Sequence, residues 1–147
     1  MNSELLKELS NADSVASVED EVRSILYREL AKYSDEVFSD RLGSIVFHKK
    51  GTSPNPLKIM FCAHIDEVGF MVQAINENGL LSIVQLGGWH ITNIPAHTVY
   101  IKNRDGKLIK GITTSKPVHF MTASERANNT LEIEDIYVDV GATSKDE

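Results

Sequence analysis

Leu57-Lys58-Ile59-Met60-Phe61-Cys62 is a nearly unbroken apolar run, and a run of that length predicts a strand buried on both faces. Ala63-His64-Ile65-Asp66-Glu67-Val68-Gly69-Phe70 follows at once. In an open α/β sheet, ligands collect in the crevice outside the carboxyl ends of the strands, so this is where chemistry is expected. If the backbone stays extended, His64 and Asp66 project to one side and Glu67 to the other. A carboxylate beside a metal-bound imidazole accepts its second N–H, which fixes the tautomer and raises the basicity of the ligand nitrogen. A lone His-x-Asp remains a weak motif. The start of a solvated loop after a core strand looks the same, and a metal centre needs several convergent donors.

The flanking segments give the frame. Before the run, Ser3 is placed to cap a short helix with apolar Leu5, Leu6 and Leu9, and the polar stretch Ser10 to Ser14 breaks it. Ser17-Val18-Glu19-Asp20 has the form of a helix N-terminal cap, and Val22, Ile25, Leu26, Leu30 and Tyr33 then recur at helical spacing as one buried stripe. Val37-Phe38 and Ile45 to His48 read as short strands, and residues 51–56 as a surface loop. After His64 the period changes. Val68 to Ile75 and Leu80 to Leu86 are strand-like around the turn Asn76-Glu77-Asn78-Gly79, which predicts a hairpin. Thr98 to Lys102 and Leu108 to Ile112 predict a second one, and Ile136 to Val140 a further strand. Closely spaced strands with polar turns predict a small barrel or sandwich, with Ala123 to Asn129 as a polar, mobile excursion. The break in pattern falls near residue 70.

A chain of 147 residues has room for one domain or two small units, and its net charge of −6 without a basic stripe argues against nucleic acid as a partner. Cys62 is the only cysteine, which excludes an intrachain disulfide; inside an apolar run it reads as a buried, inert thiol suited to a reducing cytosol. The polar, acidic start of the chain, Met1 to Glu8, shows neither signal peptide nor membrane span. The expected location is the cytoplasm.

Six blocks in register carry a resemblance. They are Glu19-Asp20-Glu21-Val22-Arg23, Asp40-Arg41-Leu42-Gly43, Ala63 to Phe70, Gly87-Gly88-Trp89, Ser115-Lys116-Pro117-Val118-His119, and Asp139-Val140-Gly141-Ala142. Together they resemble the front part of the tetrahedral (TET) aminopeptidases, the glutamyl-aminopeptidase and deblocking-aminopeptidase family of two-metal exopeptidases. The resemblance implies that His64 is a ligand of one metal and that Asp66 supports it. It implies zinc or cobalt as the two divalent ions of a full-length member, and peptides as substrates. It also implies an architecture: residues 1–70 as the N-terminal segment of an α/β catalytic domain, followed over 71–147 by a β-barrel-like oligomerisation domain. The bridging Asp, the general-base Glu and the remaining ligands are expected after Glu147. One imidazole without a convergent set does not hold zinc or cobalt in a defined geometry, so the expectation for the chain alone is an inactive, self-associating protein. The alternative is an oligomerisation or interaction module without catalysis. A glycanase ranks last, because no pair of acids stands out as placed for sugar chemistry.

The other candidates have plainer readings. His48 reads as solvated, His90 and His97 as turn residues, and His119 as loop packing or an oligomer contact. Gly87-Gly88 reads as a bulge or tight turn, because no helix N-terminus follows to receive an anion. Trp89 reads as core or interface, and Asp139 as the cap of a turn.

Overall fold

The computed structural model describes residues 3–127 and 130–147. The fold is mixed α/β, and its contacts divide it into two compact units, one ending at Glu67 and the other beginning at Val68.

The first unit is built on helices α1 (Ser3–Asn11) and α2 (Asp20–Leu30). Ala12, Val22 and Ile25 are buried together, with Leu5, Leu9, Leu26 and Ile65 packed around them. The Arg28 guanidinium grips the Glu8 carboxylate with two parallel bonds of 2.8 and 2.6 Å. That hydrogen bonding holds the Glu8 carboxyl below its ordinary range. Two expectations need correction here. Helix α2 is capped by Glu19 without a side-chain cap bond. Ser17 instead sits in the left-handed region at φ 74, and its N–H donates to the Glu19 carboxylate at 2.8 Å. The apolar stripe is also shorter than its sequence period, since Leu30 and Tyr33 are exposed beyond the end of the small cluster. Strands β1 (Glu36–Ser39) and β2 (Ile45–His48) follow as an antiparallel hairpin, in register from Glu36↔His48 to Ser39↔Ile45.

The central strand is not formed. Residues 49–67 carry no strand, Leu57 and Phe61 are 85% and 93% exposed, and Cys62 is an exposed free thiol rather than a buried one. The reason is backbone accounting. A strand buried on both faces needs neighbours to take up its N–H and C=O groups, and no strand among the described residues pairs with this segment.

The second unit finds such neighbours. Strands β3 (Gly69–Ile75), β4 (Leu81–Leu86), β5 (Thr98–Lys102), β6 (Leu108–Ser115) and β7 (Ile136–Asp139) form one antiparallel sheet in the order β3-β4-β7-β6-β5. Both expected hairpins are present. In the first turn Gly79, at φ 82, donates to Asn76 O at 2.9 Å; a Cβ there would lie 2.5 Å from Ala142 O, so the position needs glycine. In the second, the Asn103 side chain accepts from Asp105 N–H and Lys107 N–H. Leaving β3 and β5 at the edges makes the sheet open. Closure into a barrel would require those two strands to pair, and among the described residues they do not.

One face of this sheet covers a core of Leu81, Ile83, Ile94, Ile136 and Val138, with Val99 and Ile101 packed on it. Each such aliphatic side chain contributes about 1.5–3 kcal/mol by leaving water. Phe70 and Trp89 join them as a stacked pair, centroids 4.7 Å apart, and Trp89 Nε1–H donates to Gly69 O at 3.1 Å. Thr113, 1% exposed, is a polar staple: its hydroxyl donates to Ile94 O, while His97 N–H donates to that hydroxyl at 2.9 Å. This clamp holds Ala96 at φ 66, a conformation that non-glycine residues adopt only when surroundings over-determine it. Ala123–Ala127 forms the short helix α3, where an irregular excursion was expected. Thr122 and Glu125 cap it reciprocally. The rest of that expected excursion, residues 128 and 129, lies outside the described residues. No helix among the described residues is long and apolar enough to cross a membrane.

Candidate metal-ligand site

Within Ala63 to Glu67, Ile65 turns its side chain into the cluster of Ala12, Val22 and Ile25, while the side chains of His64 and Asp66 are 86% and 45% exposed. The predicted pairing is present. His64 Nδ1 lies 3.2 Å from Asp66 Oδ1 and 3.0 Å from the Asp66 carbonyl oxygen. Both are acceptors, so Nδ1 carries a proton, and in the neutral ring Nε2 then keeps its lone pair. Such an imidazole can give one bond to a metal.

A residue passed over as a helix breaker anchors this segment. Ser14 is 3% exposed. Its hydroxyl donates to Ile65 O, its N–H donates to Glu67 Oε1 at 3.4 Å, and its carbonyl accepts from Glu67 N–H at 2.7 Å. The loop that carries Ser14 is itself tied to α2, because Asp13 N–H donates to Glu21 Oε2 at 3.0 Å. Nothing in a polar serine-rich loop distinguishes Ser14 before folding; the signal is a contact 51 residues away in sequence.

The other candidates do not join the pair. Among the described residues, no three of His, Cys, Asp and Glu converge as a metal-binding group. His64 thus fits as one donor of a larger set, and these residues do not complete a zinc or cobalt site. His48 is half-exposed and 3.5 Å from Glu36. His97 Nδ1 faces Pro95 O at 3.1 Å, and His119 lies in the single turn Val118–Phe120. Lys116 pairs with Glu125 at 2.7 Å, which, with the Thr122 bonds, pulls the Glu125 carboxyl down to about 2. Asp139 caps a turn as expected, accepting from Gly141 N–H at 2.8 Å. Gly87 bends the chain after β4 at φ 82, with Val68 where a Cβ would go.

Comparison with known proteins resolves the lineage. The family described as M42 glutamyl aminopeptidase matches residues 43–147. The chain belongs to the M42 peptidase family. The M42 chain is 37% identical to FrvX of Escherichia coli (strain K12) over 147 residues, all of this chain and 40% of that one. It is 30% identical to a lysyl aminopeptidase of Pyrococcus furiosus over 145 residues, 98% of this chain and 41% of that one. Among solved structures, a TET aminopeptidase of Thaumarchaeota archaeon SCGC AB-539-E09 superposes with a TM-score of 0.89 at 36% identity, over 98% of this chain and 39% of that one. This M42 chain therefore spans about 40% of the length of the curated relatives it matches, and its fold is that of their N-terminal part.

Proposed function

We propose that this chain supplies His64, oriented by Asp66, as one ligand of the metal centre of a cytoplasmic aminopeptidase that removes N-terminal residues from peptides. The observation that supports this reading most is the Nδ1-to-carboxylate contact inside the Ala-His-Ile-Asp-Glu block, which leaves Nε2 open. Two divalent ions, zinc or cobalt, would supply an acidified water and polarise the scissile carbonyl. His64 would hold one of them through Nε2, and Asp66 would keep the imidazole in the right tautomer. By this reading residues 1–70 are catalytic-domain sequence, the general base and remaining ligands lie outside these 147 residues, and the chain alone hydrolyses nothing.

The test is hydrolysis of lysine p-nitroanilide by residues 1–147 joined to the C-terminal remainder of the Pyrococcus lysyl aminopeptidase, with zinc or cobalt. The joined protein is expected to be active, the 147-residue chain inactive, and His64→Ala of the joined protein inactive. Asp66→Ala should lower its metal affinity by about 10–100-fold. A folded His64→Ala protein with unchanged activity would refute the assignment.

A second reading, an oligomerisation module over residues 71–147, draws on the sheet face opposite the core. Tyr100, Leu108 and Ile112, on the paired strands β5 and β6, are each half-exposed or more there, and exposed apolar surface of this kind marks association sites. A homo-oligomer is expected in sedimentation; a monodisperse monomer at micromolar concentration would sink this reading.

A further inference from the structure

The peptide groups on either side of Asp66 are planar units, one containing Ile65 C=O and the other containing both Asp66 C=O and Glu67 N–H. Ser14 holds each of them. Its hydroxyl donates to Ile65 O on one side, and its carbonyl accepts from Glu67 N–H on the other. With both planes fixed, the two soft torsions of Asp66 are fixed as well. The second plane is also the one whose oxygen faces His64 Nδ1 at 3.0 Å. Orientation thus passes from a buried serine, through the Asp66 backbone, to the imidazole. Glu67 tightens the arrangement from its far end, because its carboxylate accepts from Ser14 N–H.

We propose that Ser14 is a positioning residue for His64: it locks the Asp66 backbone so that the imidazole presents Nε2, with the proton held on Nδ1. This rests on the reading of His64 as a metal ligand and deepens it. Ser14 acts only through its bonds to Ile65 and Glu67, and its 3% exposure keeps water from competing for them. The helices would stand without its hydroxyl, since Ala12, Val22, Ile25 and Ile65 supply the packing. Its specific effect is on the exposed pair.

The experiment is a long-range 1H–15N NMR measurement of the His64 ring on the 147-residue chain, at about pH 8.5 where an ordinary imidazole is neutral. The wild-type ring is expected in the Nδ1–H form. Ser14→Ala should shift it toward the Nε2–H form favoured by free imidazole, and should speed hydrogen exchange of the Glu67 amide by about tenfold. Ser14→Thr, which keeps the hydroxyl, should restore both. A Ser14→Ala chain that loses stability but keeps the Nδ1–H ring and the slow Glu67 amide would overturn the proposal. Should Ser14→Ala not fold, Ser14→Cys is read the same way, because a thiol is a weak donor of similar shape. A wild-type ring already in the Nε2–H form would overturn the His64–Asp66 pairing itself, and with it the functional reading. Failure of the mutant shift alone would leave that reading intact.

Discussion

Leu57–Cys62 and Leu81–Leu86 are both apolar six-residue runs, yet the second is strand β4, paired on both sides by β3 and β7, and the first is irregular and exposed. Hydrophobicity does not distinguish them; available neighbours do. A strand becomes part of a core when other backbones take up its hydrogen-bonding groups while its side chains leave water. β4 has two antiparallel partners, β3 in its own hairpin and β7 from much later in the chain. Leu57–Cys62 has none among the described residues, so its apolar atoms remain in solvent. The unit ending at Glu67 is accordingly stabilised by a cluster of three buried residues, and the unit beginning at Val68 by a cluster of five on a continuous sheet.

Substitutions on the two sides should behave differently. Ile136→Ala, at 1% exposure, is expected to cost about 2–5 kcal/mol in urea unfolding. A cost under about 0.5 kcal/mol, the range of ordinary surface changes, would mean that the sheet does not enclose a real core. Gly111→Ala would place a Cβ 2.7 Å from Val138 Cγ1 and 3.1 Å from Asp139 O, and should cost about 1–3 kcal/mol by overpacking between β6 and β7. Thr113→Val strands the Ile94 carbonyl that its hydroxyl now satisfies, and a similar loss, about 1–3 kcal/mol, is expected. On the other side of the comparison, Phe61→Ser at 93% exposure should stay within about 0.5 kcal/mol. Amides of residues 57–62 should exchange as fast as in a free peptide while those of β4 are protected; equal protection would place the first run in a structured sheet. The smallest effect is one of pH. The Lys116 and Thr122 bonds hold the Glu125 carboxyl at about 2, below its unfolded value. Its contribution is therefore present above the ordinary carboxylate range and is lost as pH falls from there toward about 2. The NMR shifts of α3 in the folded chain should stay constant through the ordinary carboxylate range and move only as pH approaches about 2, and Glu125→Gln should remove the movement.

Much of the architecture was legible from residues alone. The turns at Asn76–Gly79 and Asn103–Gly106 announced two hairpins because their chemistry is local, and the His64–Asp66 pairing is local too, two residues apart in one segment. What failed depended on partners distant in sequence. The Leu57–Cys62 strand and the burial of Cys62 presupposed neighbouring strands that these residues do not provide. The Ser17 cap failed because the left-handed turn at Ser17 moved the helix start to Asp20. Ser14 was invisible for a related reason. Its polar loop setting reads as solvent-exposed, and only the return of the chain at Ile65 and Glu67 buries it. Barrel closure could not be read at all, since strand spacing does not say whether the first and last strands of a sheet meet.

The stacked Phe70–Trp89 pair has a practical consequence, because Trp89 is the only tryptophan in the chain. Its ultraviolet emission is an optical label placed by nature on the half that begins at Val68. Circular dichroism at 222 nm, by contrast, sums over α1, α2 and the elements of that second half alike. The part of the 222 nm transition that does not coincide with the emission change would then report the half that ends at Glu67, without any dye being attached.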